Sequence, residues 1–202
     1  MIRRLAPALT AALALAAAVV LVGEARASVS IAVTWDGLLR ESSAAALVTA
    51  LDARPLWEGD RIYTYTRVRV DRGIAGELAT GDEAWVRTMG GVVGKVGQTV
   101  DGEPVLTPGR ASLLFLHPIA GRPAGAFDVT ARAQGQFPVV ADEKAPPHLV
   151  RNTSAGGLVP PRLPAASGSA APPRMAADVV HGRAIGDVAH DVVAAWGSAH
   201  VH

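Results

Sequence analysis

The chain has 202 residues, 19 of them Lys or Arg and 18 Asp or Glu, so its formal net charge is +1 and no charge excess draws it to nucleic acid or to an anionic membrane surface. Half of the residues are hydrophobic, too many for a wholly disordered chain. Cysteine is absent, which excludes disulfides, thiolate metal sites, a cysteine nucleophile and lipid attachment at cysteine.

Residues 1–27 have the three parts of a secretory signal peptide. Arg3 and Arg4 supply the charged start, Ala8 to Val22 an uncharged apolar run, and Ala25-Arg26-Ala27 a small-x-small cleavage signal before Ser28. A permanent anchor is the weaker reading, because Leu5 to Gly23 is borderline in length, rich in alanine and interrupted by Pro7. The paired arginines lack the surroundings of a twin-arginine signal, so general secretion is expected, with a secreted or periplasmic destination and no membrane attachment after cleavage. Cleavage removes three arginines and one glutamate, leaving 16 basic and 17 acidic side chains.

Residues 28–141 are read as one β domain. Thr34 is placed to cap a short helix through Ser42, with Leu38 and Leu39 facing inward. Ala44 to Ala53 is a strand, Arg54 to Asp60 a loop containing Pro55, and Arg61 to Asp71 the returning strand of a hairpin. In that second strand Ile62, Thr64, Thr66, Val68 and Val70 alternate with Tyr63, Tyr65, Arg67 and Arg69, giving an apolar and an amphipathic face. Further strands are expected at Glu83 to Met89, Ala111 to Leu116, Phe127 to Arg132 and Gln136 to Val140, separated by glycine turns. Leu113 to Leu116 is apolar at every position, as in a strand covered on both faces. Short strands with glycine turns imply a small antiparallel β-barrel, since closure removes exposed edges. Residues 142–174 are Pro-, Gly-, Ser- and Ala-rich without periodicity and read as a linker, flexible at Ser167 to Ala171. In 175–202, Ile185, Val188, Ala189, Val192, Val193 and Trp196 form the stripe of an amphipathic helix. That stripe is too short to be stable alone and is expected to dock on the β domain.

The pieces RIYTYTRVRV, GIAGEL, TMGGVVG, LTPGRASLLFL and QGQFPVV form a recurrent order of aromatic-threonine strand, glycine turn, Gly-Gly bend, Pro-Gly turn, apolar strand and Gln-Gly-x-Phe strand. In that order, over about residues 44–140, the chain resembles a group of uncharacterised secreted bacterial proteins with small OB-like or netrin-like β-barrels. The resemblance implies a shape and transfers no catalytic residues. The netrin-like inhibitors of metalloproteinases chelate zinc through an N-terminal cysteine, and that chemistry is unavailable to a chain with no cysteine.

The chain lacks HExxH and GxSxG, the signatures of a zinc hydrolase and of a serine nucleophile elbow. Gly90-Gly91-Val92-Val93-Gly94-Lys95 is no phosphate loop, because Met89 replaces its first glycine and Val96 its magnesium-binding hydroxyl, so a bend is expected. Asp187, His190 and Asp191 share a helix face with Arg183, read as a solvated surface with an Arg183–Asp187 pair, and His200 and His202 as a frayed tail. Neither metal nor cofactor is assigned. The candidate ligand-binding residues are Tyr63, Tyr65, Arg67 and Arg69, rigid aromatic area beside planar cations, which suits a binding module for an extracytoplasmic protein or carbohydrate. The alternative is a hydrolase built around His117, with Ser112, Asp71, Glu83 or Asp128 as partners.

Overall fold

The computed structural model of the protein describes residues 29–121, 125–142, 145–162 and 172–201. The expected signal peptide and the Ser167–Ala171 part of the linker lie outside them. In chain order the first elements are β1 (Val29–Ile31), α1 (Trp35–Arg40), β2 (Ala44–Glu58), β3 (Arg61–Gly76), β4 (Glu83–Met89), β5 (Gly91–Val93) and β6 (Val96–Gln98). They are followed by β7 (Ala111–Pro118), β8 (Ala126–Val129), β9 (Gln136–Asp142), β10 (Ala145–Leu149), β11 (Gly157–Val159), α2 (Ala176–Val180) and α3 (Ile185–Ala199).

Alternation builds the mainly β fold. In β3, Ile62, Thr66, Val68 and Val70 point to one side and are buried, while Tyr63, Tyr65, Arg67 and Arg69 point to the other. β2 pairs with β3 from Ala44 opposite Gly76 to Glu58 opposite Arg61, so the hairpin turns over Gly59-Asp60 alone. The loop expected over Arg54 to Asp60 is therefore mostly strand. Pro55 is tolerated there because β7 flanks β2 only between Ala44 and Thr49, and beyond that point β2 is an edge that needs no second partner.

β4 pairs with β3, β7 with β2, and β8 joins β4 in parallel and β7 antiparallel, closing five strands into a ring. Three register shifts within the β2–β3 pair help the two long strands bend around it. Val48, Val68, Val86, Leu114, Leu116 and Phe127 fill the interior. β7 forks, with β9 beside Ser112–Leu114 and β8 beside Leu116–Pro118. The strand expected over Phe127 to Arg132 ends at Val129, since Ala131 and Arg132 both turn left-handed with φ of 54° and 57° and redirect the chain toward β9.

A second core lies between the outward side of β7 and the helices. Trp35 and Phe137 each meet Phe115 edge-on, at 5.9 and 6.0 Å between centroids. Leu38, Val180, Val188 and Val192 pack around them, so Leu113 to Leu116 is buried on both faces. The Thr34 hydroxyl accepts the Gly37 N–H at 3.1 Å and caps α1. The C-terminal segment forms two helices broken at Gly182, whose φ of 78° suits glycine. Val193, counted in the apolar stripe, is 58% exposed. Arg183 precedes α3, so helical spacing does not apply to it, and it bonds Asp191 at 2.8 Å rather than Asp187.

The stretch read as linker is partly sheet. β10 continues the sheet beyond β9, and β11 pairs in parallel with β1. β10 is an edge, where Pro146 and Pro147 are admitted, and Leu149 anchors it in the helix-covered core. Among the described residues, no helix is long and apolar enough to cross a membrane.

Candidate functional site

The outer face of β3 and β4 is a lattice of aromatic rings and ion pairs. Tyr63, Tyr65 and Arg67 are half-buried and Arg69 is exposed. Strand register sets Tyr65 opposite Arg87 and Arg67 opposite Trp85. Arg67 donates to Asp52 at 2.8 Å and to Glu83 at 2.9 Å, and Arg69 donates to Asp71 at 2.9 Å. The Tyr65 hydroxyl donates to Glu58 at 2.5 Å, and Arg54 lies 5.5 Å over the Trp85 ring. Neither tyrosine lies beneath Trp196 or α1, whose apolar contacts belong to the helix-covered core on β7.

Arg87 joins this face to a cavity of about 300 Å³ at its edge. It grips both Asp128 oxygens, at 2.9 and 2.8 Å, reaches Glu58 at 3.2 Å, and lies 4.7 Å over the Tyr63 ring. The hydrogen bonds to Asp128 raise the Arg87 pKa above its usual value, outweighing the burial that opposes charge. Asp52, and then Glu83, raise that of Arg67 in the same way. Both guanidiniums therefore stay cationic and paired.

His117 lines the same cavity, opposite Asp128 across the β7–β8 pair. Its Nδ1 is 3.2 Å from Thr130 Oγ1, which is 2.9 Å from Ser42 Oγ, which is 2.7 Å from the Leu38 carbonyl. The carbonyl only accepts, so Ser42 donates to it, Thr130 donates to Ser42, and Nδ1–H of His117 donates to Thr130. Both hydroxyls are buried, so this one-way chain leaves Nε2 as the ring's available acceptor when His117 is neutral. Arg132, left-handed beside the cavity, ion-pairs with Glu103 and donates to the Asp101 carbonyl at 3.1 Å. Of the other partners considered for His117, Ser112 meets Gln136, Asp71 meets Thr49 and Arg69, and Glu83 meets Arg67.

A larger cavity, about 490 Å³, opens into the end of the ring between β3, β4, the β5–β6 hairpin and the segment 99–106. Gly91 on its wall packs closely on β2 and β3, since a Cβ there would stand 2.4 Å from Thr64 Oγ1 and 3.1 Å from the Pro55 Cβ. The Gly90-Gly91 pair is thus the bend that carries the chain off β4, with φ of 105° and 134°.

Sequence reasoning places Tyr63, Tyr65, Arg67 and Arg69 on one face but omits Trp85, Arg87 and Glu58, which strand register brings beside them. Trp85 and Arg87 are signalled only by the alternation of β4, where both have outward parity; Glu58, at the end of β2, is not. Among the described residues, no group of three or more His, Asp and Glu is placed to hold a metal ion. No family model, curated protein or solved structure matches the chain.

Proposed function

We propose that the five-stranded ring is a small barrel of the OB-like or netrin-like kind, and that it serves outside the cytoplasm as a non-enzymatic module binding a neutral carbohydrate. The fold reading is supported by the order of strands: counted along the ring segment they run first, second, third, fifth, fourth, with third and fifth parallel. Barrels of the OB type use the face of their second and third strands for oligosaccharides or oligonucleotides. Here those strands are β3 and β4. The observation that carries the ligand reading is that this face combines Tyr63, Tyr65 and Trp85 with guanidiniums each matched to a carboxylate. Aromatic plates stack on sugar rings, and paired charges offer directional donors and acceptors without the excess cation that a polyanion needs.

The test is titration of residues 28–202 with soluble neutral glucans and chito-oligosaccharides. Binding that falls at least about tenfold in Tyr63→Ala at unchanged melting temperature is expected. Absence of any glycan binding, or binding indifferent to that substitution, overturns the reading. Export is tested separately by N-terminal sequencing of the extracytoplasmic protein, expected to begin at Ser28.

A second reading, hydrolysis at His117, is favoured by the oriented Nε2 in the smaller cavity. In it, Nε2 takes a proton from water as the water attacks a bound ester or amide. Hydrolysis of model esters that vanishes in His117→Ala is the expected result, and no turnover by the full-length mature chain removes this reading.

A further inference from the structure

We propose that the ring-end cavity is a second ligand site, distinct from the outer face, and that it takes a compact neutral molecule with an apolar body and one hydroxyl or carbonyl end. Thr66 is 1% exposed and lines the cavity, and its hydroxyl, which makes no hydrogen bond among the described residues, is reached from the cavity rather than sealed in. Its strand neighbours on the interior side, Val68 and Val70, are valines in the apolar core, and valine has nearly the shape of threonine. A hydroxyl held at the cavity lining, where valine would fit, presents a hydrogen-bonding group to whatever enters in place of water.

Thr88 reinforces the point. It is 8% exposed, and its hydroxyl reaches the Thr64 carbonyl only at 3.5 Å, the limit of a hydrogen bond. Thr64, in contrast, is satisfied by the Gly90 carbonyl at 2.7 Å. Along β3 and β4 the next interior residues beyond Thr66 and Thr88 are the buried Val68 and Val86, so the two under-used hydroxyls form the cavity floor. Met89, Val100 and Leu106 supply apolar wall. No lysine, arginine or histidine lines the cavity, and its two ionisable residues are Asp101 and Glu103, the latter ion-paired with Arg132 just outside, so the carboxylate of Asp101 sets the sign of its mouth. Anions are therefore disfavoured, and a polar end enters first to meet Thr66 and Thr88. The volume, about 490 Å³, is that of an ordinary small-molecule site.

The probes are Prodan, a neutral naphthyl ketone whose emission reports polarity and hydrogen bonding, and ANS, an anionic naphthalene sulfonate of similar body. With the mature chain, Prodan is expected to bind saturably with a blue-shifted emission, and ANS at least about tenfold more weakly. Thr66→Val should weaken Prodan about tenfold, the worth of one hydrogen bond, while leaving the melting temperature unchanged or higher. Leu106→Trp, which fills the cavity, should abolish Prodan binding. The proposal is overturned by absence of saturable Prodan binding, by equal affinity in Thr66→Val, or by a melting temperature lowered in Thr66→Val, which would mark the hydroxyl as a structural bond instead.

Discussion

Gly135 is held by lack of room: a Cβ there would lie 2.0 Å from the Thr130 carbonyl oxygen, which belongs to the residue whose hydroxyl orients His117. Gly135→Ala should therefore cost about 2 kcal/mol or more in urea unfolding and disturb the His117 cavity at the same time. Beside it, the buried Gln136 amide behaves as a strand partner, accepting from Val105 N at 3.0 Å and donating to its carbonyl at 2.8 Å. Gln134, the first residue of the Gln-Gly-x-Phe piece, does the same for the segment after β1, accepting from Val33 N–H at 2.8 Å and donating to the Ile31 carbonyl at 2.9 Å. Arg87→Met should cost about 2 kcal/mol, because it breaks the two-pronged bond to the partly buried Asp128 and removes one partner of Glu58. The same denaturation series measures both variants. Outward parity made the tyrosines and arginines of β3 legible in the sequence. Arg87, Glu58 and the His117–Thr130–Ser42 chain were not, since each depends on the register between strands that alternation does not set.

Among elements, β3 and β7 were the most legible, one through strict alternation and the other through an unbroken apolar run. The ends of strands were less so. Pro55 looked like a terminator, and only the absence of a neighbour beyond Thr49 explains why β2 passes through it. β11 carries no periodic pattern because what holds it, β1, is remote; β10 pairs antiparallel with β9, which ends only three residues before it begins, and is obscured in the sequence by Pro146 and Pro147. α3 was visible as a stripe, and its buried contacts are Val188 and Val192. Val192→Ala should lower stability by about 2 kcal/mol, whereas Val193→Ala, on the exposed side, should change it by less than about 0.5 kcal/mol; chemical denaturation of the pair separates a docked helix from a displayed one. At its far end His200 has Nε2 2.9 Å from the Ser42 carbonyl and Nδ1 2.8 Å from the Trp196 carbonyl; both oxygens accept, so a neutral ring, with one N–H, donates to one of them at a time, and the Ser42 contact ties α3 to the turn after α1.

At the scale of the molecule, the five-stranded ring and the helix-covered core share β7, so neither is independent of the other. A chain ending at Arg162 lacks α2 and α3 and uncovers Trp35, Phe115 and Phe137. It should show no cooperative thermal transition by near-ultraviolet circular dichroism; a sharp transition close to that of the intact chain would show that the ring stands alone. The pairing of β1 with β11 adds a constraint in time. Trp35 N–H meets the Arg174 carbonyl at 2.9 Å, and Ala176 N–H meets the Val33 carbonyl at 3.0 Å, so the first described residues are latched by some of the last. During synthesis the ribosome releases β1 long before its partner exists, and β1 must wait, unpaired, until β11 and the segment at Arg174 to Ala176 have followed it out. Completion of this fold therefore comes late relative to its first strand, decided by the arrival of β11 and α2.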